Sequence, residues 1–265
     1  MSEFLFSLFK AVAVQIAGVF GIFFVFGFIL SQLQEWTHHI YQRAIGWKGI
    51  LWTAWIGTPV HELGHAFFAK IFRHRILHIS LFQPNQRTGG LGHVNHSYES
   101  RSIYQRMGNF FIGAAPMIIG SIVLIIFLYF LVPHPAAVFE PLKKGGADLS
   151  QLFPAVIEAL KALFVKENFH HWYFALFLYL SFCVAAHIAP SKEDRKAMWG
   201  GFAWIILLLI IANIIALLLK FDLTAYVLKV NQYLSVLVGI FSYAIILSLI
   251  HFIAAVVLLG WFSKK

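Results

Sequence analysis

Charge is scarce in this chain, and cysteine is almost missing. Asp, Glu, Lys and Arg together make up 12% of the 265 residues, about half the share found in an ordinary soluble domain. That shortage excludes a soluble globule whose surface is kept wet by ionic side chains. The one cysteine, Cys183, excludes an intrachain disulfide and leaves the redox compartment unread. Internal repeats and low-complexity tracts are also missing, which leaves a single domain over residues 1–265.

What fills the chain instead is apolar. Hydrophobic residues reach 60% and the mean hydropathy is +0.78. A bilayer crossing needs about 20 mostly apolar residues. Runs at 11–30, 50–68, 110–132, 172–188, 198–219 and 234–259 answer to that description, the fourth being the shortest. The expected fold is therefore an all-α polytopic membrane protein with six transmembrane helices. The first run is expected to stay in place, because "LSQLQEW" after it offers no small-x-small cleavage site. Basic residues outnumber acidic ones by 20 to 11, yet their distribution points to a lipid bilayer and not to nucleic acid. With six spans, the N-terminus, the 69–109 and 189–197 segments and the C-terminus share one side. That side holds twelve of the basic residues, including Arg73, Arg75, Lys192 and Lys264. By the positive-inside rule it is cytoplasmic, and both termini with it.

Against this background "GTPVHELGHAFFAKIFRH" (57–74) stands out. Residues four apart share a helix face, so His61 and His65 can grip one metal ion. Glu62 then lies close to a metal-bound water without binding the metal. Two imidazole ligands and a general base are the mechanical content of H-E-x-x-H. A bare interhelical hydrogen-bonding role would account for the histidines. It does not account for a glutamate inside a span, where an unpaired charge costs about 2.5 kcal/mol or more. Pro59 removes one helix hydrogen bond just before the motif, and Gly64 allows a neighbouring helix to approach closely.

A catalytic zinc takes three protein ligands and an open position. The fourth run ends on the same side at "CVAAHIAPSKEDRKAMWGG" (183–201), where Glu193 and Asp194 follow a turn opened by Pro190 and Ser191. His187, His93, His96 and Glu99 are further candidates. Three segments in order then resemble the site-2 protease family of intramembrane zinc metalloproteases. "HELGH" is similar to the family's first zinc motif. "RMGNFFIGAAP" (106–116) resembles the opening of the next family helix, with Gly113-Ala114-Ala115-Pro116 in place of an Ala-Gly-Pro turn. "HIAPSKED" (187–194) resembles the Asn-x-x-Pro…Asp-Gly motif, with His187 for the Asn and Arg195 for the Gly. The likeness covers about 50–201. It implies Asp194 as the third ligand of a single Zn²⁺ beside His61 and His65, with Glu62 catalytic.

Between the second and third runs, residues 76–98 read as strand–turn–strand around Pro84-Asn85 and Gly89-Gly90. A free strand edge can pair with an unwound transmembrane substrate by strand addition. The resemblance implies such a sheet after the zinc helix, near the cytoplasmic face. His187, Gly90 and Leu91 are the expected substrate-binding residues.

Residues 133–171 read as a turn-rich stretch with "KKGGAD", followed by an amphipathic helix. Its apolar face is expected at Phe153, Val156/Ile157, Leu160 and Leu163/Phe164. This loop is expected on the non-cytoplasmic surface, as a connector, a cap over the cleft or a docking place for a regulatory membrane partner. Asn213 and His251, lone polar residues in apolar runs, are expected to be satisfied between helices. Two other readings stand beside the protease. "HELGH", "HVNH" and "HH" (170–171) mimic the histidine boxes of membrane di-iron hydroxylases and desaturases, and a non-catalytic membrane scaffold would share the fold. Metal analysis of the purified protein separates them: one zinc per chain for the hydrolase, two irons for the oxygenase, and no metal for the scaffold.

Overall fold

The computed structural model of the chain describes residues 2–146, 149–229 and 231–260. The expected positions Ala147 and Asp148 of "KKGGAD" and the C-terminal lysines lie outside the described residues. Helix α1 (Ser2–Gln15) runs through a π-helical turn (Ile16–Phe20) into α2 (Gly21–Ala44). The expected first span, 11–30, is thus the middle of one continuous helical rod. Gly46, at φ 77°, breaks the rod, and α3 (Trp47–Ile71) carries the H-E-x-x-H motif. Strands β1 (Arg75–Ser80) and β2 (His93–Ser97) pair antiparallel, with a register irregularity between Ile76 and His78. Their connection is pinched by the Asn85–Gly90 bridge, with Gly89 at φ 72°. Helix α4 (Ile103–Leu131) starts at Ser102, whose hydroxyl accepts from the Gln105 N–H.

Helices α5 (Pro135–Gly145) and α6 (Leu149–Leu163) and a 3₁₀ turn (Lys166–His170) lead to α7 (Trp172–Ala185). Helices α8 (Lys192–Leu218), α9 (Leu223–Leu228) and α10 (Asn231–Leu259) complete the fold. The turn-rich stretch expected after residue 133 is a helix, α5. Pro135 occupies its first position, where the missing N–H costs nothing. The amphipathic face expected on α6 is also divided. Phe153 is 74% exposed, while Ala155, Ala159 and Leu163 turn inward, because small side chains let α6 lie close to α5.

Among the described residues, four helices are long and apolar enough to cross a membrane: Glu3–Ala44, Ile103–Leu131, Lys192–Leu218 and Leu234–Leu259. The fold is a polytopic, mainly α-helical membrane protein with one small sheet. The other two expected spans are of a different kind. Helix α7 is apolar but has 14 residues, about 21 Å at 1.5 Å per residue, short of the roughly 30 Å hydrocarbon core. Helix α3 is long enough, but its motif makes it too polar for that group.

The core gathers around Phe110, whose ring lies 5.4–5.6 Å from those of Phe20, Phe23 and Phe202. Small residues bring the site-bearing helices together. Gly57 of α3 faces the Cys183 carbonyl of α7, Gly64 faces Ala115 of α4, and Gly113 of α4 faces Asp194 and Met198 of α8. Two polar pairs join helices: Gln15 and Asn213 exchange two amide hydrogen bonds at 3.0 and 2.8 Å, and Tyr41 Oη meets His251 Nε2 at 2.7 Å. The expectation for Asn213 and His251 therefore holds. A Cβ at Gly57 would collide with backbone, which cannot swing aside. Gly57→Ala is expected to destabilise by about 1–3 kcal/mol, read as a fall in thermal midpoint in detergent. Gly21→Ala, with open space around it, leaves the midpoint unchanged or slightly raised.

Candidate metal centre

Two carbonyl groups that the helices cannot use aim the histidines of the motif. Proline has no N–H, so the carbonyl four residues before it loses its helical partner. Pro116 inside α4 does this to Ile112, and His65 Nδ1 donates to the Ile112 carbonyl at 2.8 Å. Pro190 does the same to Ala186, whose backbone lies beside His38. The next carbonyl, His187, would take the Ser191 N–H in a continuing helix. That N–H donates instead to Asp194 Oδ2 at 2.7 Å, so the His187 carbonyl accepts from His61 Nδ1 at 2.7 Å.

With both Nδ1 atoms protonated and spent, His61 and His65 each present a bare lone pair at Nε2. These two Nε2 atoms lie 3.1 Å apart. Asp194 joins them, with Oδ1 3.2 Å from His65 Nε2 and Oδ2 3.5 Å from His61 Nε2. Asp194 is held by a capping box: the Ser191 hydroxyl accepts from the Asp194 N–H, while the Asp194 carboxylate accepts from the Ser191 N–H. The helix N-terminus further favours its negative charge. Because Oδ2 is engaged with Ser191, Oδ1 is the freer ligand atom.

Two lone pairs and a carboxylate packed this closely repel one another unless a cation lies among them. The Nε2–Nε2 and His65 Nε2–Asp194 Oδ1 separations lie near the edge of about 3.3 Å expected of a tetrahedron with metal–ligand bonds of about 2.0–2.1 Å. The donor set and its carbonyl second shell therefore fit zinc. Among the described residues this is the one group of three or more His, Cys, Asp or Glu side chains arranged to hold a metal ion.

The centre opens into a cavity of about 670 Å³ between α3, the hairpin loop and the start of α8. Glu62 lines it beside the histidines and is 6% exposed. Gly90 and Leu91 line it as well. Their carbonyls accept from Asn85 and Gln83 within the loop, so the loop's own ladder uses them. His187 also reaches the cavity, but its ring is 5% exposed, with Nε2 3.1 Å from Thr53 Oγ1. The other candidate ligands stand outside the group of three, although His93, His96 and Glu193 line the same cavity. His93 Nε2 meets His78 Nδ1 at 3.1 Å, and His96 Nδ1 meets His74 Nδ1 at 3.0 Å. Burial, with His74 adding to it, lowers His96 to about 4 and keeps it neutral. Glu99 and Glu193 are exposed. His170 bonds the Lys166 carbonyl and His171 stacks on Tyr173, so neither joins the centre.

Sequence reasoning missed the Ile112 and Ala186 carbonyls, His38 and the backbone part played by His187. Applying the four-residue proline rule to Pro116 and Pro190 would have flagged both carbonyls. Comparison of the chain with protein-family models, with curated proteins and with solved structures gives no match.

Pro116→Ala returns an N–H that competes with His65 for the Ile112 carbonyl. We expect zinc affinity to fall about tenfold, by chelator competition, while thermal stability holds or rises because alanine suits a helix interior. Equal zinc affinity would remove the released carbonyl from the account.

Proposed function

We propose that this chain is a zinc-dependent metalloendopeptidase that hydrolyses peptide bonds in or near membrane-spanning segments of other proteins. One observation carries the reading: two imidazoles and a carboxylate converge to ligand spacing, with the acid–base candidate Glu62 in the same cavity, in a chain built of membrane-length apolar helices. The likeness of three motifs to the site-2 protease family supports the same reading. The proposed topology has six spans, α3 and α7 completing the four long apolar ones. The basic 69–109 and 189–197 segments support a cytoplasmic position for the hairpin and the centre.

His61, His65 and Asp194 would hold the zinc. Bound there, zinc acidifies a water molecule and polarises a carbonyl. Glu62 takes the proton of the attacking water at its carboxylate. The water oxygen bonds to the carbonyl carbon, the C–N bond breaks, and Glu62 returns the proton to the departing amine nitrogen. The Ile112 and His187 carbonyls keep both imidazoles in the Nδ1–H tautomer throughout. The di-iron reading would need a second group of ligands, and "HVNH" and His170-His171 offer none at the centre.

Glu62→Gln keeps the shape and loses the base. It is expected to reduce cleavage of a reconstituted transmembrane substrate by about 10²-fold or more, with zinc content unchanged. Undiminished cleavage would defeat the assignment. Asp194→Ala is expected to lower bound zinc as well as cleavage, and an unaltered zinc stoichiometry would exclude it as a ligand.

A further inference from the structure

We infer that Thr58 and His38 form a peptide-gripping pair in the wall of the metal cavity. Thr58 Oγ1 donates to a backbone carbonyl, and His38 Nε2 accepts a backbone N–H, of one extended substrate strand. This rests on the hydrolytic reading for the class of occupant and adds the residues that hold it.

Both atoms are sealed from solvent and have no hydrogen-bond partner among the described residues, and both side chains line the cavity. The imidazoles of His61, His65, His93, His96 and His187 around them are all engaged. Thr58 lies four residues before Glu62 in α3, and so on the face that carries the motif. A helical threonine commonly bonds back to the carbonyl four residues earlier, and Thr58 does not. Its methyl is covered by the hairpin loop, where a Cβ on Gly92 would come within 2.9 Å of it. The hydroxyl is left as a spare donor.

His38 is the complement. Its Nε2 has no partner among the described residues and is assigned as the lone-pair acceptor of a neutral imidazole. One donor and one acceptor match the two halves of a peptide backbone. A helix uses both halves internally, whereas an unwound strand offers them outward. The pair therefore favours a segment that has already left its helix. His38 also lines an adjoining groove of about 680 Å³, which shares Gln34, Ala189 and Ser191 with the metal cavity. Phe24, Phe28, Met198 and Trp199 give that groove apolar walls, suited to the side chains of a membrane-derived peptide.

The test uses the full chain carrying Glu62→Gln, in detergent micelles. The probe is a fluorescein-labelled apolar peptide with a central Gly-Pro pair, and binding is read by anisotropy. Adding Thr58→Val is expected to weaken binding about tenfold, while Thr58→Ser retains it. Methylating the peptide's backbone nitrogens one at a time should weaken binding at one position about tenfold. In His38→Phe that penalty disappears. Zinc content stays the same in all these variants. The inference is overturned by unchanged affinity in Thr58→Val, by Thr58→Ser behaving like Thr58→Val, or by a methylation penalty that survives His38→Phe. Zinc loss in the variants, or no binding at all to the Glu62→Gln chain, overturns it equally. If the unmodified protein holds no zinc and cuts no peptide, the hydrolytic reading falls by itself. The binding assay needs no turnover and still decides the inference.

Discussion

Backbone carbonyls without helical partners set the direction of the imidazoles on which this site depends. A buried carbonyl must find a donor, and in an apolar interior the available donors are side chains. At Ile112 the donor is His65 and at His187 it is His61. Each bond fixes a tautomer as well as an orientation, which leaves Nε2 of His61 and His65 bare and facing one another at 3.1 Å. The prolines that would weaken α4 and end α7 are thus what makes the centre possible. A helix defect in one element becomes a ligand constraint in another.

The same economy appears at Asp194. Its carboxylate caps the N-terminus of α8 through Ser191 and faces both histidines. Capping holds the acid rigidly without a dedicated partner, and it diverts the Ser191 N–H from the His187 carbonyl. Loss of the cap would therefore disturb Asp194 and His61 together. The close packing of Gly113 on Asp194 and of Gly57 on Cys183 draws α4 to α8 and α3 to α7. Polar clamps such as Gln15–Asn213 lie far from the centre along the chain and join α1 to α8.

Much of the architecture was legible because membrane-length apolar runs and H-E-x-x-H spacing are local properties. Helix α3, the hairpin after it, and the polar pairs at Asn213 and His251 follow from short-range patterns. Element extents were less legible. The π-helical turn at Ile16–Phe20 continues the first helix without a break, and no proline or turn pair marks its N-terminal end. Helix α5 forms across prolines that read as turn signals, since Pro135 falls where a helix tolerates it. The exposed face of α6 was misread because alanines, which are weak hydrophobic markers, do its packing.

The sequence by itself determined the apolar helical character of the chain, the shared face of His61, Glu62 and His65, and a short list of possible third ligands. It could not choose among Asp194, Glu193, His187, His93, His96 and Glu99, because they are equally polar and lie in segments of similar composition. Tertiary structure narrows that choice by pairing His96 with His74 and His93 with His78, by leaving Glu193 and Glu99 exposed, and by bringing Asp194 up to His61 and His65. The physical reason is distance along the chain. The clustered groups lie more than a hundred residues apart in the chain, and such a meeting depends on which helices pack and at what height, something local periodicity does not encode.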